Sequence, residues 1–186
     1  MRPKPHAIAR FAKERLPDLW RPLGYALVAF ALFQWFGRSN SGPKPDSVAR
    51  EFTLALAEPE ARHVALAELR GNPAVIEVFA SWCQACRSMA PTMADLARAP
   101  RRRQVSFLGV AVDTPMQDAI ALHSAWGIPF PVALADAAFS ADYSIKVLPT
   151  LIVLDGDGRV RHVTTGTTRA STVDGWLRDL GAERTR

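Results

Sequence analysis

Val75-Ile76-Glu77-Val78-Phe79-Ala80-Ser81-Trp82-Cys83-Gln84-Ala85-Cys86-Arg87 holds the only two cysteines of the chain, two residues apart. They follow an apolar run that reads as a buried strand and precede a segment of helical pattern, Arg87 to Arg98. A Cys-x-x-Cys at a helix start sets its first sulfur over unpaired backbone N–H groups and the positive end of the helix dipole, which favours thiolate over thiol. Cys83 is therefore the expected nucleophile, and Cys86, one turn on, is placed to attack a mixed disulfide formed at Cys83.

Working outward, strands alternate with helices. Phe52, Leu54 and Leu56 alternate with smaller or polar residues as a strand does; the chain turns near Glu58-Pro59-Glu60, and His63-Val64-Ala65 can return as a hairpin partner. Leu66 to Leu69 reads as a helical turn stopped by Gly71-Asn72-Pro73. After the Ala74–Phe79 strand and the dithiol helix, residues 104–113 form a second apolar strand. Thr114-Pro115-Met116-Gln117 then predicts a helix with Thr114 as N-cap, proline at N1 and a capping-box glutamine, running to about Trp126. That order implies right-handed crossovers and a parallel sheet core. Phe130–Leu134 is a short extended piece, Asp136–Tyr143 a short helix, and Asp155-Gly156-Asp157-Gly158 joins two strands as a hairpin. Ser171–Leu180 closes the chain as a covering helix with Trp176, Leu177 and Leu180 on one face.

Charge and hydropathy separate the ends. The chain of 186 residues carries +5 and is 48% hydrophobic, enough for a real core. Residues 1–21 hold six basic side chains (Arg2, Lys4, Arg10, Lys13, Arg15, Arg21) against Glu14 and Asp18, leaving about +1 for the remainder. The basicity belongs to this tail, which argues against nucleic acid as a partner. Leu23 to Phe36 follows without a charge. Its fourteen residues fall short of the roughly 17–25 a span requires. Counting from Leu19, with Arg21 snorkelling and Trp20 and Trp35 at the interfaces, brings it to a workable length. A cleaved signal peptide and a buried core helix are the competing readings; the small-residue candidate Ser39-Asn40-Ser41 is a poor cleavage site.

The expected layout is a basic cytoplasmic tail (1–21), a transmembrane signal anchor (22–37), a turn-rich linker (38–50), a catalytic domain (51–182) and a short tail (183–186). Basic residues ahead of the apolar stretch orient the N-terminus to the cytoplasm and place the domain in the bacterial periplasm, held at the inner membrane.

Trp82-Cys83-Gln84-Ala85-Cys86, Pro91 five residues on, and Leu148-Pro149-Thr150 ahead of a hairpin resemble the thioredoxin family's active-site helix, its kinking proline and its cis-proline loop. Phe52-Thr53-Leu54, Leu69 to Pro73, Phe79 to Cys83 and Leu154 to Arg159 are similar to phrases of the membrane-anchored TlpA/ResA type. Thr164-Thr165-Gly166-Thr167 with Trp176-Leu177 resembles the branch linked to copper-sensitivity suppression. The resemblance covers about residues 50–182.

It implies an α/β thioredoxin fold: a central mixed sheet flanked by helices, with an N-terminal β-hairpin extension beside the one transmembrane helix. It further implies thiol–disulfide exchange with periplasmic protein thiols and disulfides, a transmembrane electron donor or acceptor, roles of the cytochrome c biogenesis or copper tolerance kind, a monomer, and no cofactor beyond a redox-active Cys83–Cys86 disulfide. Pro149 would be cis and present the Leu148 backbone to substrate. Glu77, six residues before Cys83, would be the buried acid that exchanges a proton with Cys86; a satisfied structural or edge acid is the other reading. The relatives' acid three residues beyond the second cysteine is missing, since Met89 stands there. Trp82 would pack beside the dithiol and shape access, while Trp126 and Trp176 read as core.

Other chemistries fit less well. Arg87 stands where haem attachment wants histidine, and His6, His63, His123 and His162 are too scattered for zinc. Copper(I) on the two thiolates is the alternative function, and a fixed structural disulfide is a further one. Arg101-Arg102-Arg103 reads as a solvated loop or a docking patch. Gln84-Ala85 does not reveal the direction of electron flow.

Overall fold

The computed structural model describes residues 22, 24–30, 42–58, 60, 62–99 and 104–183. The chain divides into two units, residues 1–39 and 40–186. In the first, residues 24–30 are helical and Tyr25, Leu27, Val28 and Phe30 are exposed. Among the described residues no helix is long and apolar enough to cross a membrane, and most of the remainder of the predicted 22–37 anchor lies outside them. The Arg101–Arg103 run also lies outside the described residues.

The second unit is built on strand β3 (Ala74–Phe79), buried at all six positions. A strand covered on both faces must be apolar throughout, which is why its residues do not alternate with polar ones and why Glu77 stands out. β4 (Ser106–Ala111) lies parallel to β3 on one side, and β6 (Thr150–Leu154) antiparallel on the other. β5 (Val132–Leu134) and β7 (Val160–Thr165) complete a mixed sheet in the order β5-β4-β3-β6-β7.

Helix α1 (Gln84–Arg98) connects β3 to β4 and buries Cys86, Met89, Ala90, Met93, Ala94 and Leu96, the stripe that a 3.6-residue period lays on one face. α2 (Met116–Ala125) connects β4 to β5, α3 (Ala137–Tyr143) precedes β6, and α4 (Ala170–Glu183) ends the unit. α4 buries Val173, Leu177 and Leu180 and touches α1. Trp176 is only half-buried and stacks on His162 of β7, the rings 4.6 Å apart. Trp126 is half-buried against Phe79.

The predicted hairpins are present. β1 (Thr53–Ala55) pairs with β2 (His63–Ala65), and Leu56 bridges Ala133, so the hairpin covers the outer edge of β5. At the β6–β7 turn the Asp155 carboxylate accepts from the backbone N–H groups of Asp157 and Arg159, and Gly158 takes a φ of +79°.

Two local readings differ from the structure. Thr114 does not cap α2: the N-cap is Pro115, which has no side-chain donor or acceptor to offer, and the Thr114 hydroxyl is engaged elsewhere. The stretch read as linker is in part folded onto the sheet. Asp46 N–H donates to Val160 O, Val160 N–H to Ser47 O, and Ala49 N–H to Gly158 O. Tyr143, ringed by Phe52 and Phe139, donates its hydroxyl to Arg50 O at 2.7 Å, and burial pushes that hydroxyl's pKa up.

Candidate active site

The site begins where β3 ends. Ala80 to Cys83 form a turn closed by the Cys83 N–H donating to Ala80 O at 3.1 Å. Val112 N–H donates to Phe79 O at 2.8 Å, extending the β3–β4 pairing past the strand ends. Cys83 is the N-cap of α1: its sulfur accepts from Cys86 N–H at 3.1 Å, and its carbonyl accepts from Arg87 N–H. The two sulfurs form a disulfide of 2.02 Å. On reduction, the Cys83 sulfur keeps the helix N-terminus beneath it, where backbone dipoles stabilise a thiolate. Pro91 lies within α1, where it cannot donate to Arg87 O, and the helix continues to Arg98.

The two cysteines differ in access. Cys83 is 7% exposed and lines a cleft of about 420 Å³; Cys86 is 1% exposed and does not. Trp82, Val112, Asp113, Ser140, Ile145, Lys146 and Leu148 form the rest of the cleft wall. Trp82 is 67% exposed, so it flanks the opening and is not packed down onto the disulfide. The Leu148–Pro149 bond is cis. Its loop is held by the Thr150 hydroxyl donating to Val147 O and by Gly166 N–H donating to Pro149 O, both at 2.7 Å. The fold thus brings Trp82, Cys83 and Leu148 around one opening, with Cys86 and Pro149 behind it.

Glu77 lies within the strand and does not line the cleft. Its neighbours in register are Gly109 on β4 and Leu151 on β6, neither of which carries a polar side chain. It is 3% exposed and makes no side-chain hydrogen bond or ion pair among the described residues. Burial therefore raises its carboxyl pKa to about 8, and Glu77 is mostly protonated at neutral pH.

Sequence reasoning missed several cleft residues. Asp113 takes a φ of +46°, a conformation aspartate adopts more readily than most residues, yet nothing in its sequence context marks it as a wall. Ile145 and Lys146 follow a short helix, and only the return of the chain to β6 sets them beside Cys83. Among the described residues no group of three or more His, Cys, Asp or Glu side chains is placed to hold a metal ion.

A second cleft of about 400 Å³ lies between the β1–β2 hairpin, α2 and β5, and includes Glu58, Arg62, His123, Phe130 and Val132. Arg62 and Glu58 form a two-pronged ion pair at 2.5 and 2.8 Å, which holds the Glu58 carboxyl below its usual range. The His123 ring nitrogen Nε2 is 3.0 Å from Phe130 O.

A central mixed sheet, a Cys-x-x-Cys pair capping the helix after its middle strand and a cis-proline loop beside it define a thioredoxin-like thiol:disulfide oxidoreductase. Residues 45–163 match the AhpC/TSA family, and the chain belongs to it. The chain is 26% identical over 144 residues to the thiol-disulfide oxidoreductase ResA of Geobacillus thermodenitrificans, covering 76% of this chain and 81% of that one. It is 29% identical over 157 residues to the thiol:disulfide interchange protein DsbE of Allochromatium vinosum, covering 83% and 85%. Among solved structures, a putative DsbE from Chlorobium tepidum superposes with a TM-score of 0.67 at 21% identity, covering 75% of this chain and 99% of that one, a likeness of fold.

Proposed function

We propose that the chain exchanges disulfides with protein substrates on the periplasmic face of the bacterial inner membrane, through Cys83 as attacking and attacked sulfur, Cys86 as its resolving partner and Glu77 as proton carrier. The observation that carries this reading is the asymmetry of the disulfide: one sulfur opens to a cleft and the other is sealed.

In the oxidised form a substrate thiolate attacks Cys83 Sγ, the bond to Cys86 breaks, and Cys86 leaves as a thiolate. Glu77, protonated at neutral pH, supplies a proton to that thiolate. A second substrate thiolate then attacks the mixed disulfide and releases Cys83, so two electrons pass from substrate to enzyme. The reverse sequence reduces a substrate disulfide, with ionised Glu77 taking the Cys86 proton. Which direction prevails is set by the potential against a transmembrane donor or acceptor, because a periplasmic reductant needs electrons from across the membrane.

Trp82, Leu148 and Pro149 border the path of an incoming chain. The basic tail, the apolar stretch after it and the exposed Tyr25, Leu27, Val28 and Phe30 support a single N-terminal anchor with its N-terminus in the cytoplasm.

Trapping tests the exchange. With Cys86 replaced by Ser in cells, mixed disulfides should accumulate on Cys83 and identify the substrates. No trapped species, together with unchanged periplasmic thiol states when Cys83 is replaced, would refute it. Anaerobic titration of the reduced chain with copper(I) separates this reading from metal transfer on the same thiolates.

A further inference from the structure

We propose that Thr114 is a positioning residue that fixes the redox turn against the neighbouring segment beyond β4 in the wall of the cleft, and with it how closely a protein substrate docks against Cys83. This rests on the exchange reading above.

Three hydrogen bonds involving these residues hold the turn that carries Trp82 and Cys83. Two are backbone to backbone: Cys83 N–H to Ala80 O and Val112 N–H to Phe79 O. The third runs through a side chain, as Ser81 N–H donates to the Thr114 hydroxyl oxygen at 3.2 Å. That same hydroxyl donates its proton to Val112 O at 2.8 Å. One oxygen therefore ties the first central residue of the redox turn to the end of β4.

The segments it joins are neighbouring parts of one cleft lining, Trp82 and Cys83 beyond the end of β3 and Val112 and Asp113 beyond the end of β4. A hydroxyl accepts and donates through a single oxygen, so one short side chain satisfies both a backbone N–H and a carbonyl at this point. The signal usually read as a helix cap is thus used to clamp the cleft, which accounts for α2 starting without a side-chain cap.

The test uses the full chain, prereduced, in single-turnover reactions with insulin as a docking-dependent disulfide and hydroxyethyl disulfide as a small probe. Thr114→Val keeps the shape and removes the hydroxyl. The insulin concentration giving half-maximal rate should rise about tenfold, since the hydroxyl's two hydrogen bonds are lost together, with the saturating rate and the small-probe rate within about twofold of wild type. Thr114→Ser should restore docking.

Three results overturn the assignment: Thr114→Val matching wild type with insulin, both probes slowing in parallel with a lower melting temperature, or Thr114→Ser failing to restore docking while folding normally. A wild-type chain that neither reduces these probes when prereduced nor oxidises the reduced insulin chains when its disulfide is formed overturns the exchange reading itself, and this assignment with it.

Discussion

Two clefts of nearly equal volume open on the same domain, about 420 Å³ beside Cys83 and about 400 Å³ beside His123. In the second, the polar groups already have partners: Glu58 with Arg62, and the His123 ring with Phe130 O. In the first, a sulfur sits over a helix N-terminus with its bond to Cys86 open to attack from one side, while the carboxyl buried in the strand leading to it, Glu77, has no partner among the described residues. A hollow becomes reactive through groups held away from their most stable partners, and volume alone does not distinguish the two.

The sharpest way to break this contrast is at the sulfur. Cys83→Ser should reduce insulin-disulfide exchange at least about 10³-fold, as loss of a nucleophile does. An exchange rate within tenfold of wild type would move the chemistry elsewhere.

Glu77→Gln should slow exchange about 10²-fold and remove the inflection near pH 8 from its pH profile, measured by single-turnover kinetics. The same variant carries a stability signature. From the ordinary carboxyl pKa up to about 8, folded Glu77 keeps a proton that the unfolded chain has released, so stability falls as pH rises through that window. Below the window both states are protonated, and above it both are ionised. The fall should total a few kcal/mol in the wild type and be absent in Glu77→Gln, read as urea midpoints between about pH 5 and pH 9. A flat wild-type curve would mean that Glu77 finds a partner.

Gly109 lies between the two regions, and a Cβ there would stand 2.9 Å from Phe79 Cε1 and 3.2 Å from Val132 Cγ2. Phe79 leads into the redox turn and Val132 lines the second cleft. Gly109→Ala should therefore lower unfolding free energy by about 1–3 kcal/mol through overpacking, by urea denaturation. At the small end, Arg62→Ala removes only a surface ion pair; exchange should stay within about twofold and the melting temperature within about 1 °C. A larger loss of exchange would give the second cleft a role.

The order of strands and helices was legible because each element carries its own period: the unbroken apolar run of β3, the Met89, Met93 and Leu96 stripe of α1, and the paired Asp-Gly turn before β7. Cys83 and Cys86 were legible because their spacing is itself the chemistry. Thr114 was misread because a threonine before a proline looks the same in sequence whether its hydroxyl caps a helix or crosses to Ser81, thirty-three positions away. The same holds for residues 46–49, whose turn-rich composition gives no hint of pairing with residues 158–160.

From the sequence alone came the reactive pair, the helix that activates it and the presence of an acid where a strand should be apolar. These are consequences of neighbours along the chain. Which cysteine faces solvent, the depth at which Glu77 lies, the wall supplied by Asp113 and Lys146 and the clamp at Thr114 were decided by tertiary structure. Each depends on segments far apart in sequence meeting around the central strand β3, and such meetings leave no period or spacing to read.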